Sequence, residues 1–209
     1  MIRAEFVPDD EEDIAQSLLK LKERVGEGGI IFTSGGIGPT HDDVTYQAIA
    51  RAYQTEIEEH KETIQRMKAH YLPQGKEVNE ARRRMARLPL GCEVLTTPGT
   101  WVPLAVIENT YILPGIPRLF QQMLKAQESR FKGPAVFSHT VFTNTGEGDL
   151  AHPLTAIAEK YGGKVDIGSY PNTRDDDSYV TKLVLHSRYP NVIEEAVHEI
   201  TSKIPKCWQ

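Results

Sequence analysis

The run Thr33-Ser34-Gly35-Gly36-Ile37-Gly38-Pro39-Thr40-His41-Asp42-Asp43-Val44-Thr45 carries the densest chemistry in the chain. Glycines let a backbone turn its N–H groups towards a ligand at close range. A helix starting just after the turn adds its positive end, so the segment suits an anion, phosphate first of all. It is not a P-loop, because no Lys-Ser/Thr pair closes it, and a Rossmann fingerprint fails where His41 stands in place of the third glycine. Asp42 and Asp43 add a constraint. Carboxylates beside a phosphate repel it unless a divalent cation lies between them. The same two residues also suit the first turn of a helix, with Thr40 as N-cap and Asp43 in the capping-box position, and spacing leaves both readings open.

Asp9, in Val7-Pro8-Asp9-Asp10, follows an expected strand over 4–7. At the C-terminal end of a parallel strand it would share the ligand crevice with the glycine loop; otherwise it caps the next helix. Pro114-Gly115-Ile116-Pro117 follows another apolar strand and either lines the same edge or is a plain turn. His41 is a metal or proton-transfer candidate by its neighbours, or an ordinary loop histidine. Arg82, Arg83, Arg84 and Arg87 read as a solvated helix face, since successive helical positions point in different directions. Arg174-Asp175-Asp176-Asp177 reads as a polar hairpin loop. Nothing has the pattern of a Ser-His-Asp or Cys-His nucleophile.

These residues need a scaffold of alternating strands and helices. Ile14, Leu18, Leu21 and Val25 form one apolar stripe over 11–25, and Ile30 to Thr33 is a short strand-forming run leading into the glycines. A helix is expected over 42–53. A long polar helix carrying Ile57, Ile64, Met67 and Tyr71 follows, with a further helix over 77–87. Strands are expected near 94–95, 104–107 and 111–113, and a helix over 118–129. Gly133-Pro134 marks a boundary between residues 1–133 and a compact α+β module over 134–209. That module reads as strand 136–142, helix 150–161, strands 165–169 and 179–186, and helix 192–204.

The chain has 209 residues, 39% hydrophobic and 25% charged, enough for a buried core. Its net charge of −5 argues against nucleic acid as a partner. With neither a secretory signal nor an apolar stretch of membrane-spanning length, a cytoplasmic protein without membrane association is expected. Cys92 and Cys207 show no metal or disulfide spacing and read as plain thiols.

The motif G-G-I-G-P-T-H-D-D-V-T resembles the signature of the molybdopterin-binding domain family, which includes molybdopterin adenylyltransferases and CinA. The resemblance continues through V-P-D-D at 7–10, L-P-G-I-P at 113–117 and G-S-Y-P at 168–171. It is most similar to the domain fused to eukaryotic FAD synthases, with the CinA N-terminal region next. The resemblance implies a three-layer α/β domain with a mostly parallel sheet, plus the small module. It implies a phosphate cradle at Thr33, Ser34, Gly35, Gly36, Gly38 and Thr40, lined also by Pro114, Gly115 and Pro117. Asp43 and Asp9 are implied as catalytic, and Asp43, Asp42 and Asp9 as holding a divalent metal ion. The implied activity is hydrolysis of the pyrophosphate in FAD or an ADP-ribose-like dinucleotide. The alternatives are molybdopterin adenylyl transfer and a non-catalytic regulatory or assembly module. Implied partners are a small-molecule nucleotide, an FAD-synthesising adenylyltransferase domain and a second copy of the chain. The family's opening strand, ending in G-D-E-I-L or similar, has no counterpart before Val7, so an inner strand and an acidic part of the site are expected to be missing.

Overall fold

The computed structural model describes residues 3–173 and 178–208, so the loop expected at 174–177 lies outside the described residues. The chain divides into two compact units, Met1–Phe131 and Lys132–Gln209.

The first unit runs α1 (Glu11–Val25), β1 (Ile31–Ser34), α2 (Thr45–Ala52), β2 (Ile57–Glu59), α3 (Lys61–Tyr71), α4 (Glu80–Arg84), β3 (Arg87–Pro89), β4 (Glu93–Leu95), β5 (Leu104–Ile107), β6 (Thr110–Leu113) and α5 (Pro117–Ala126). Its main sheet has the order β1-β6-β5-β4. Side chains alternate across it. Ala105 and Ile112 pack with Leu18 of α1 and Tyr46 and Ile49 of α2, whereas Leu104, Val106, Tyr111 and Leu113 pack with Met123 of α5 on the opposite face. Both faces are therefore covered by helices, which explains why Thr110 to Leu113 is buried throughout rather than alternately. Each fully buried Leu or Ile contributes roughly 1.5–3 kcal/mol.

The layered α/β class matches the sequence reading, but the parallel share of the sheet is smaller than expected. Only β1 and β6 run parallel among the described strands; β4, β5 and β6 form an antiparallel meander. Two residues, Glu108 and Asn109, join β5 to β6, and so short a connection can only reverse the chain. Residues 4–7 are not a strand. Phe6 is fully exposed there, and the segment is held to α1 by the Ser17 hydroxyl, which donates to Glu5 at 2.5 Å. Ile57 is not on the long polar helix either: it opens β2, which pairs with β3 beside α2.

The second unit runs β7 (Phe137–Thr143), α6 (Glu147–Tyr161), β8 (Val165–Pro171), β9 (Thr181–Ser187), α7 (Pro190–Lys203) and β10 (Cys207–Trp208), with sheet order β10-β7-β9-β8 and every described pairing antiparallel. This is the split β-α-β arrangement, in which two helices cover one face of a four-stranded sheet. Val141, Val165, Leu183 and Leu185 face Leu150 and Ile157 of α6 and Ile193, Ala196 and Ile200 of α7. The short β10 escapes sequence reading because two residues carry no periodicity.

Among the described residues no helix is long and apolar enough to cross a membrane. Both cysteines are free and partly buried, and burial pushes the Cys92 thiol up to about 11.

Candidate functional site

Parallel pairing of β1 with β6 brings two loops to one edge. Ser34 stands opposite Leu113 at the last rung, so the glycine loop and Pro114-Gly115 leave the sheet side by side. The Gly35 amide donates to the Leu113 carbonyl at 3.0 Å, and the Ser34 hydroxyl to the Pro114 carbonyl at 3.3 Å. A side-chain carbon on Gly115 would lie 3.2 Å from the Gly35 Cα, so the two loops touch backbone to backbone.

Gly36 has φ +65, in the left-handed region, and a side chain there would collide with the Thr45 hydroxyl. The same imagined carbon lies 3.5 Å from Asp9 Oδ1, and one on Gly38 would lie 2.6 Å from Asp43 Oδ2. Two carboxylates from distant parts of the chain therefore reach the same three-residue turn. The cap of α1 is Asp10, which accepts from the Glu12 and Asp13 amides at 2.9 and 3.0 Å, so the alternative role considered for Asp9 falls to its neighbour. Asp9 itself is exposed beside the loop.

Thr40 does not cap α2. That helix begins at Thr45 behind Val44, which makes no side-chain cap bond. The Thr40 amide instead donates to Asp43 Oδ2 at 2.8 Å, and its hydroxyl donates to the same oxygen, which fixes the turn and leaves Oδ1 of Asp43 without a partner among the described residues. The Asp42 carboxyl is exposed and held below the usual carboxylate range by the neighbouring Thr40 side chain first, then by its own backbone N–H, His41 and Arg84. Among the described residues no three His, Cys, Asp or Glu side chains form a ready ligand set, so Asp9, Asp42 and Asp43 do not make a closed metal cage.

The amides are divided. Those of Gly35 and Thr40 are bonded within the protein, whereas those of Gly36, Ile37 and Gly38 find no acceptor among the described residues. The Thr33 hydroxyl is buried without a partner on the strand leading in. Pro117 occupies the first position of α5, the place where a missing N–H costs nothing.

Of the four arginines read as a solvated face, one reaches the loop: Arg84 donates to the Asp43 carbonyl at 3.4 Å. Arg83 pairs with Glu59, Arg87 with Glu80, and Arg82 lies over the Tyr71 ring. The divergence of successive helical positions was the available signal, since it requires one of the three to point away from the others.

A family model described as the probable molybdopterin binding domain matches residues 1–131, more than half of the chain. The chain belongs to this molybdopterin-binding domain family. Residues 135–208 match a second model, the FAD synthase middle domain. A protein from Pyrococcus abyssi is 32% identical over 96% of this chain and 82% of its own length. A CinA-like protein from Myxococcus xanthus is 34% identical over 60% of this chain but only 30% of its own length. The crystal structure of the CinA protein from Thermoplasma acidophilum superposes with a TM-score of 0.50 at 26% identity, covering 58% of this chain and 72% of that one. The first match spans the glycine loop and its aspartates, and the second spans the G-S-Y-P segment.

Proposed function

We propose that the first unit binds the pyrophosphate of an adenine dinucleotide, FAD or an ADP-ribose-like molecule, and hydrolyses it with a divalent metal ion. The observation that carries this reading is the approach of Asp9 and Asp43 to Gly36 and Gly38, beside three amides without protein acceptors. The amides of Gly36, Ile37 and Gly38 suit phosphate oxygens, and the partner-free Oδ1 of Asp43 together with Asp9 suits the cation that would hold water and phosphate together. A divalent metal ion held by Asp9 and Asp43 would supply charge neutralisation and make water a readier nucleophile. Water attacks the adenylyl phosphorus, the bond to the bridging oxygen breaks, and FAD yields AMP and FMN. Thr40 acts by positioning Asp43, and Arg84 by holding the Asp43 main chain.

Incubation of the chain with FAD and with ADP-ribose, with and without Mg²⁺ or Mn²⁺, tests this directly. AMP release that needs the metal and falls by about 100-fold in Asp43→Asn is expected, the scale on which charged transition states lose a positioned electrostatic group. Nucleotide binding that Asp43→Asn leaves intact, with no AMP from either protein under any metal, would make the unit a non-catalytic binding module. The engagement of Asp43 Oδ2 by Thr40 is the observation in favour of that second reading.

A further inference from the structure

The G-S-Y-P segment lies on β8, at the edge of the second unit's sheet. Register sorts the two faces of that sheet. Val165, Leu183 and Leu185 point to the helices, so Asp166, Gly168 and Tyr170 of β8 and Lys182, Val184 and His186 of β9 point the other way. Tyr170, Lys182, Phe142 and Trp208 then form one row across all four strands, a span of about 14 Å at the usual strand spacing. Tyr170 is 52% exposed and Trp208 37% exposed.

Gly168 explains the posture of Tyr170. A side-chain carbon on Gly168 would lie 3.0 Å from both Cε2 and the hydroxyl oxygen of Tyr170, so the ring lies folded back along its own strand in space that any other residue would fill. The Lys182 ammonium lies 5.4 Å from the ring centre. Asp166 stands opposite His186 at the next-but-one rung, and with Gly168, Tyr170 and Val184 these residues form one side of an open cleft of about 470 Å³ that wraps the edge strand and is lined on its other side by Ala158, Gly163, Val165 and Ile167. On the far side of Lys182, Phe142 stacks with Trp208 at 6.1 Å and meets Tyr179 at 5.0 Å.

We propose that this open sheet face binds a planar heteroaromatic ring, a flavin or a nucleobase, with Tyr170 as the stacking platform and Asp166 accepting an N–H from the edge of the ring. A laid-down aromatic ring with half its surface exposed offers a π-face to any flat ligand, and base-on-aromatic stacking contributes about 1–3 kcal/mol. The acidic chain disfavours a nucleic-acid strand as the source of that ring, so the ligand is a free small molecule. None of these residues belongs to the glycine-loop site, and the proposal stands whatever that site does.

Phosphate-free probes separate the two sites. Riboflavin is titrated with the full chain and its fluorescence anisotropy followed, with adenosine and a dodecamer of deoxythymidine as competitors. Expected are binding of riboflavin or adenosine, about tenfold weaker in Tyr170→Ala, the lower-middle of the stacking range, and essentially unchanged in Tyr170→Phe and Asp43→Asn. Gly168→Ala, which displaces the ring without removing it, is expected to weaken binding in the same direction, and coincident melting curves keep folding out of the comparison. Failure of both probes to bind, or binding indifferent to Tyr170→Ala, overturns the proposal. Displacement of riboflavin by the oligonucleotide at lower concentration than by adenosine overturns it in favour of a nucleic-acid platform.

Discussion

Gly38→Ala is the sharpest test of the glycine-loop geometry, because it adds one methyl group at a residue whose backbone is not in the left-handed region. The added carbon would stand 2.6 Å from Asp43 Oδ2 and 2.9 Å from Oδ1, whereas ordinary contact begins at 3.4 Å, so the carboxylate must retreat by about 0.8 Å. That movement stretches the 2.8 Å bond from the Thr40 amide beyond hydrogen-bonding distance. Loss of a side-chain-to-amide bond of this capping kind costs about 1 kcal/mol. For a unit of this size that lowers the melting midpoint by about 3 °C. On the proposed function, displacing Asp43 by somewhat under 1 Å is expected to cost activity on the order of 10²-fold. Melting followed by circular dichroism reads the first effect, and AMP release from FAD the second. Parental melting with parental AMP release would refute the placement of Asp43 over the turn. A lowered midpoint with full activity would keep the geometry and remove Asp43 from the chemistry.

Asp10→Ala is expected to destabilise the first unit by about 1 kcal/mol through loss of the α1 cap, while Asp9→Ala leaves melting nearly unchanged and weakens metal-dependent nucleotide binding, a contrast that denaturant titration and calorimetry read together. The Tyr46 hydroxyl is buried without a partner, so Tyr46→Phe should stabilise by about 1 kcal/mol, measured as a higher denaturant midpoint with unchanged slope. Glu199 accepts from Lys160, Lys203 and Tyr161, and the two ammonium groups hold its carboxyl at about 2 against an ordinary 4.5. A depressed folded-state value means stability present above the ordinary value and lost as pH falls towards 2, so the melting gap between parent and Glu199→Gln should be full at pH 6 and close between about pH 4.5 and 2.

The elements legible in the sequence are those with length and period. The stripe of Ile14, Leu18, Leu21 and Val25 marks α1 to its last residue, and the run into Ser34 marks β1. The strand expected at 4–7 is absent because a strand is defined by a partner, which composition does not contain. Ile57 joins β2 because pairing with β3 outweighs a helical period shared with Ile64 and Met67. The meander of β4, β5 and β6 was legible as strands but not as antiparallel pairs, although the two-residue link at Glu108 and Asn109 carried that information. At the site, glycines and aspartates announce themselves by type. What spacing cannot distinguish is which of two adjacent aspartates caps a helix, or which of three arginines turns inward, since both are settled by the direction of a side chain in three dimensions.

If the glycine loop holds a ligand as proposed, the contact between Gly35 and Gly115 limits where selectivity can reside. A floor made of two bare backbones in touch has no side chain to lengthen, shorten or recharge, and a methyl group added at position 115 would wedge the paired strand ends apart. On the proposed function, differences among ligands would therefore fall to exposed residues of the same two loops, such as Pro39, Ile116 and Arg118, which can change size and polarity while the paired backbones stay constant.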